Sequence, residues 1–178
     1  MLKIGKLTDY ALVLLNQLAS ADRPYSVGES DVAKGFNKYS VDTLSRETGL
    51  SEATVRKVMR FLVGAKLVIA HRGTKGGYQL ALPPSKISII DVVSAVEGPV
   101  SVTECASEDN NCEITDQCSL SDNWPGINQL VVSVFRQISL EDVRKTNVSD
   151  QLKQTLLSQW SNSSSVSPDQ MIKIVEVD

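Results

Sequence analysis

The sequence has only one histidine, three cysteines and no long apolar run among its 178 residues. The apolar run nearest the start, Ala11 to Leu15, is far too short to span a membrane, so we expect no membrane partner. Residues 1–6 do not lead into a signal-peptide hydrophobic region, which favours a cytoplasmic location. A single histidine without a phosphate loop or a nucleophile–base pair argues against an enzyme.

The three cysteines lie within one polar, acidic stretch that we call the cysteine segment, Glu104 to Trp124. An odd number of cysteines in a reducing compartment disfavours structural disulfides. Such a stretch has little reason to hold three cysteines for packing alone, so Cys105, Cys112 and Cys118 predict a site for a metal cluster. Zinc and a thiol redox switch stay open, although structural zinc sites favour four Cys or His ligands.

The net charge of −3 hides a difference between the two halves of the chain. Residues 1–82 carry a net charge of +5, whereas residues 83–178 carry −8. A basic first half can hold a polyanion such as nucleic acid, and an acidic second half would repel one. Charge alone does not distinguish this interpretation from chance variation.

A helix-turn-helix pattern lies in the basic half. Val41 to Thr48 is a predicted helix capped by Ser40, and Glu52 to about Gly64 is a second one capped by Ser51, with a turn at Gly49-Leu50 between them. The N-terminal part of such a second helix enters the major groove of DNA. A plain amphipathic helix with a basic, solvated side remains the alternative. The residues that we expect to meet bases and phosphates are Glu52, Ala53, Thr54, Arg56, Lys57 and Arg60.

A predicted β-hairpin follows the second helix directly, as a wing does. Residues 67–70 and 78–82 are strand-like, and a basic, glycine-rich tip lies between them. Arg72 and Lys75 are the tip residues that we expect to contact DNA, since arginine can enter a narrow minor groove.

Further helices are predicted outside the helix-turn-helix, including a short one that starts at 139–143. The first spans Leu7 to Leu18, with Thr8 or Asp9 as its cap, and another spans Ile89 to Glu97. A long helix, residues 127–138, has a wide apolar stripe that nothing in so small a chain obviously covers, which favours a homodimer helix over an ordinary core helix. The stripe consists of Ile127, Leu130, Val131, Val134, Phe135 and Ile138.

The predicted fold class is mainly α with a small β-hairpin wing, a winged helix-turn-helix followed by a long dimerisation helix. We divide the chain into a DNA-binding domain at 1–83, a part with the cysteine segment and the dimerisation helix at 84–145, and a polar, flexible tail at 146–178. Residues 21–39 are loop-like and interrupt the DNA-binding domain.

These residues resemble the Rrf-type winged-helix transcription regulators, over about Leu2 to Val143. The wing and the three-cysteine stretch together are the specific part of the resemblance. Within the family the chain looks most similar to regulators of the Suf iron–sulfur assembly operon. The matching pieces are residues 6–11, 44–51 and 72–78 for the family, and 87–89, 97–99, 103–105 and 123–124 for the Suf regulators.

The resemblance implies a homodimer that binds a double-stranded DNA operator and an iron–sulfur cluster, and that represses iron–sulfur assembly genes. Where the IscR branch has a histidine ligand three residues after the last cysteine, this chain has Ser121. In the nitric-oxide-sensing NsrR branch an aspartate of the partner's first helix is the ligand, and Asp9 matches it. The implied ligands are therefore Cys105, Cys112, Cys118 and Asp9, with [2Fe-2S] slightly favoured over [4Fe-4S].

Overall fold

The structure is a computed structural model, and it describes residues 4–20, 38–73, 76–107, 112–114 and 117–145. Most of the predicted insertion, Lys75 at the wing tip and the predicted tail at 146–178 lie outside the described residues. The chain divides into two units, Met1–Arg144 and Lys145–Asp178, and all the elements below belong to the first.

The predicted fold class is confirmed, because six α-helices and one antiparallel hairpin dominate the described structure. In that part of the chain no helix is long and apolar enough to cross a membrane. The helices are α1 (Lys6–Ala19), α2 (Val41–Thr48), α3 (Glu52–Gly64), α4 (Ile89–Glu97), α5 (Trp124–Gln137) and α6 (Leu140–Arg144), and the strands are β1 (Val68–His71) and β2 (Gly77–Leu80).

Two predicted helix starts were wrong. Helix α1 begins at Lys6 with Gly5 at its N-cap, so Thr8 and Asp9 lie inside its first turn instead of capping it. Helix α5 begins at Trp124, three residues before the predicted start at Ile127. The sequence pattern places Pro125 at the end of a loop, but proline is well suited to a first helical turn, where its missing N–H has no partner to lose.

The helix-turn-helix is defined by its caps. The Ser40 hydroxyl accepts the Thr43 N–H at 3.1 Å and starts α2, and Gly49 ends α2 with a φ of 72°. That left-handed conformation is strained for residues with a side chain, so glycine is favoured there. Ser51 then starts α3 by accepting the Thr54 N–H at 3.2 Å. These local bonds fix the short turn between the two helices.

The hydrophobic core of the described structure is built around α1. Leu14, Leu15 and Leu18 of that helix are fully buried, and α1 packs against α2, α3, α4, β2 and α6. Leu140 of α6 is buried in the same core. Its N–H donates to the Ile87 carbonyl at 2.7 Å. Helix α1 therefore contacts both helices of the helix-turn-helix, α2 and α3, as well as α4 and α6.

The wing is attached to the helix-turn-helix by a short β-bridge. Strand β1 pairs with β2 from Val68–Leu80 to His71–Gly77. Tyr39, which directly precedes the cap of α2, exchanges two backbone hydrogen bonds of 2.9 and 2.8 Å with Tyr78 on β2. This bridge sets the position of the hairpin relative to α2 and α3.

Candidate functional site

One face of α3 carries the predicted DNA contacts. Val55, Val58, Met59 and Leu62 are fully buried, which turns the remaining positions outward. Thr54 is half-buried and its hydroxyl lies 2.9 Å from that of Ser51, so it belongs mainly to the helix cap. The exposed residues, which we call the reading face, are Glu52, Ala53, Arg56, Lys57 and Arg60.

The reading face contains an ion pair that sequence reasoning missed. Arg56 Nη2 donates to Glu52 Oε2 at 2.8 Å, one helical turn away. Both side chains are more than half exposed, and exposed pairs of this spacing contribute only about 0.3–0.5 kcal/mol. Arg56 can therefore exchange Glu52 for a phosphate at little cost. The spacing of Glu and Arg at i and i+4 is the signal that could have identified the pair.

Arg72 lies at the end of β1, next to the wing tip, and is exposed. Gly73 follows with a φ of 101° and turns the hairpin. Gly77 approaches the bridge closely, because a Cβ there would lie 2.7 Å from the Tyr39 carbonyl oxygen. The wing thus carries Arg72 directly after β1, at the start of the turn.

The cysteine segment begins with a single 3₁₀ turn, Glu104–Ala106. Cys105, Cys112 and Cys118 are each half-buried. The Thr103 hydroxyl oxygen lies 3.2 Å from the Cys105 sulfur, close enough for a hydrogen bond involving sulfur. Thiol groups that solvent can reach in part are suitable for a metal or for redox chemistry.

A stretch that we call the arm, residues 98–103, connects α4 to the cysteine segment. Asn128 of α5 holds the arm with its side-chain amide. Asn128 Oδ1 accepts the Val102 N–H at 3.0 Å, and Asn128 Nδ2 donates to the Val100 carbonyl at 3.5 Å. Sequence reasoning missed Asn128, although a polar residue next to the apolar position Ile127 was a usable signal.

The structure does not gather the predicted ligands within one chain. Asp9 is exposed in the first turn of α1, and the three cysteines lie in the segment before α5. Among the described residues, no three His, Cys, Asp or Glu side chains are placed to hold a metal ion together. The donor types fit an iron–sulfur cluster, since thiolates are its usual ligands.

A carboxylate links α1 to the start of the arm. Glu97 Oε1 accepts the Gly5 N–H at 3.1 Å and the Thr8 hydroxyl at 2.6 Å. Glu97 was part of the Glu97-Gly98-Pro99 motif, but its role could not be read from the sequence because its partners are 89 and 92 residues away.

Helix α5 contains no fully buried residue. Leu130 is 67% exposed and Ile127 is 42% exposed, whereas Val131, Val134 and Phe135 are half-buried. Ile138 departs from the predicted stripe, because it lies after the helix and is buried in the chain's own fold, where its carbonyl accepts the Ile89 N–H at 2.8 Å. The apolar face left open on α5 is thus centred on Ile127 and Leu130.

Comparison with known proteins identifies relatives of this arrangement. The sequence profile of the Rrf2 family, iron-dependent transcriptional regulators, matches residues 4–146. The transcriptional regulator IscR of Aliivibrio salmonicida is 30% identical over 104 residues, which are 58% of this chain and 61% of that protein. The matched proteins are transcription regulators and not enzymes.

Solved structures agree with this result. CymR, the global cysteine regulator of B. subtilis, superposes with a TM-score of 0.55 and 26% identity, over 80% of this chain and 96% of that one. The IscR structure from T. potens has a TM-score of 0.51 and 24% identity, over 81% and 87%, and this match bears on the fold alone.

Proposed function

Because the chain belongs to the Rrf2 family of transcriptional regulators, we propose that it is a cytoplasmic homodimer that represses iron–sulfur (Suf) assembly genes. It reads a palindromic operator with the exposed face of α3 and with the wing. It senses an iron–sulfur cluster held by Cys105, Cys112 and Cys118 and completed by Asp9 of the partner subunit. The single observation that carries this proposal is that the exposed basic face of α3 occurs in the same chain as a segment with three half-buried cysteines.

The reading face supports the DNA-binding part of the proposal. Arg56, Lys57 and Arg60 are exposed on α3, and Arg72 of the wing is also exposed and belongs to the same basic half of the chain. Half to two-thirds of protein–DNA hydrogen bonds go to the phosphate backbone, and basic side chains supply many of them. Two copies related by a two-fold axis suit half-sites about one helical turn apart.

The position of Asp9 supports the sensing part. Asp9 lies on α1, and α1 packs against α2 and α3, which form the helix-turn-helix. A ligand on this helix therefore acts on the element that sets the position of the reading helix. An iron–sulfur cluster, when bound, supplies a centre whose loss depends on iron supply and oxidants. A single oxygen ligand is harder than a thiolate, which favours a labile site suited to a sensor.

Anaerobic reconstitution with iron and sulfide tests the ligand set. We expect Cys105→Ala to lose the visible absorption of the cluster, and the control Ser119→Ala to keep it. Asp9→Ala should form the cluster but lose it faster than wild type, because one ligand is missing, and Asp122→Ala serves as the charge-matched control. An unchanged spectrum in Cys105→Ala would show that the assigned site is wrong.

Mössbauer spectroscopy of protein purified without oxygen then identifies the cluster type. We favour the two-iron form over the four-iron form because of the resemblance to the IscR branch. A four-iron spectrum would instead place the chain with the NsrR branch and with a response to nitric oxide.

A second candidate is a DNA-binding regulator whose cysteines bind zinc or act as a thiol switch. The observation that favours it is that each of the three cysteines is half-buried, so solvent can reach each thiol in part. Elemental analysis separates the two candidates, since zinc without iron and sulfide supports the second.

A further inference from the structure

The first turn of α1 depends on a side chain from a distant part of the sequence. Helix starts leave backbone N–H groups without intrahelical partners, and a side chain at the N-cap usually accepts one of them. The N-cap of α1 is Gly5, which has no side chain. Glu97 Oε1 accepts the Gly5 N–H at 3.1 Å and also the hydroxyl of Thr8, a residue that is fully buried.

The fit at this contact is close. A Cβ atom added to Gly5 would lie 2.8 Å from Glu97 Oε1, which is shorter than real Cβ contacts allow. The carboxylate is the end of a flexible side chain, so a methyl group at position 5 would displace it without disturbing the core. Glycine at the N-cap therefore makes room for Glu97.

Glu97 is also the residue at which α4 ends and the arm begins. Gly98 follows with a φ of 86°, so the chain turns directly after the carboxylate. Val100 and Val102 of the arm are then held by the Asn128 amide, and Cys105 follows in the 3₁₀ turn. The Glu97 side chain thus links α1, which packs against the helix-turn-helix, to the arm that leads to Cys105.

We propose that Glu97 is a positioning residue that couples the cysteine segment to the first turn of α1. Through α1, which packs against α2 and α3, it transmits the state of the cysteine segment to the reading face. This inference rests on the proposed function for its signal, but the contact itself involves only residues of this chain. Coupling between two sites requires an element that both of them bias, and the first turn of α1 is that element.

Hydrogen exchange of the protein without its cluster tests the contact directly. In Glu97→Ala we expect exchange to rise about fivefold or more in two peptides, residues 5–10 and residues 98–103, because both lose the same anchor. Glu97→Gln keeps an oxygen that can accept both bonds and should behave like wild type. Glu113→Ala, which removes an exposed carboxylate from the cysteine segment, is the control. A change confined to residues 5–10 would show a local helix cap and overturn the proposal, as would no change in either peptide.

Operator binding tests the consequence. The probe is a duplex that wild-type protein selects from a random-sequence pool, and the readout is the ratio of its Kd values for protein with and without reconstituted cluster. We expect a wild-type ratio of about 5 or more in either direction, and a ratio near 1 for Glu97→Ala. Gly5→Ala, which displaces the carboxylate, should also give a ratio near 1, whereas Glu97→Gln should keep the wild-type ratio. A wild-type ratio retained in both Glu97→Ala and Gly5→Ala would overturn the coupling role.

These experiments distinguish a failure of the proposed function from a failure of the inference about Glu97. If wild-type protein forms no cluster, the proposed function is refuted, and the exchange experiment still decides whether Glu97 joins α1 to the arm. If wild-type protein shows the ratio and the Glu97 variants show it too, the proposed function stands and the inference about Glu97 falls.

Discussion

Leu130 provides the sharpest test of how two chains meet. This leucine lies on α5 and is 67% exposed in the single chain, on the face that we assign to the homodimer. We therefore expect Leu130→Ala to weaken the dimer and to leave the fold of each chain intact. Alanine has the highest helix propensity, so the change does not weaken α5 itself.

The size of the effect follows from the exposed area. Fully burying a leucine contributes about 1.5–3 kcal/mol, and two-thirds of this residue is left to be covered, so each copy contributes about 1–2 kcal/mol. A two-fold axis applies every substitution twice. The dimer should lose about 2–4 kcal/mol, which raises its dissociation constant about 30- to 1000-fold.

Sedimentation equilibrium over a range of protein concentrations measures this constant. Gln129→Ala, an exposed position next to Leu130 on the same helix, is the matched control and should dimerise as wild type does. Thermal unfolding of the dilute monomer checks that the fold is preserved. A dissociation constant that Leu130→Ala leaves unchanged would refute the assignment of this face to the dimer.

Three other substitutions test the remaining parts of the account. Replacing Arg56 and Lys57 together by alanine should reduce the slope of log K against log salt by about 0.9 for each phosphate that is no longer neutralised. The total reduction is about 4 for a dimer in which both side chains of each chain contact a phosphate. An unchanged slope over several salt concentrations would count against the reading face. Arg72→Ala should weaken binding of the selected duplex by about tenfold or more, measured by fluorescence anisotropy, and equal affinity would exclude a wing contact. Ser88→Ala removes a capping box in which the Ser88 hydroxyl accepts the Asp91 N–H at 3.3 Å. Urea unfolding should show a free energy of unfolding about 1 kcal/mol lower than that of wild type. The control Ser85→Ala, at an exposed position, should leave the free energy of unfolding unchanged.

Local patterns predicted the helices correctly where their caps lie next to them in the sequence. Ser40, Gly49 and Ser51 supply hydroxyl groups and a left-handed turn within three residues of the bonds they make. Both ends of α2 and the start of α3 were therefore predicted to the residue. The start of α1 was predicted wrongly because its capping carboxylate, Glu97, lies 92 residues from Gly5 in the sequence.

The candidate site was less accessible to sequence reasoning. Residue type made Cys105, Cys112, Cys118 and the basic residues of α3 candidates, because thiols and positive charges indicate their chemistry without a structure. The hydrogen bonds of Asn128 depend on how α5 packs beside the arm, which no periodicity encodes. Ile138 fitted the apolar spacing of α5, but the helix ends one residue earlier, and the chain then turns back into its own core.

The central claim is that the cysteine segment controls operator affinity through a bound iron–sulfur cluster. The most direct measurement compares the Kd of the selected duplex for wild-type protein and for Cys105→Ala, each after anaerobic reconstitution and again after chelation of iron. We predict that wild-type Kd changes about fivefold or more between the two states and that Cys105→Ala gives one value in both. A wild-type Kd that is the same with and without the cluster would contradict the account.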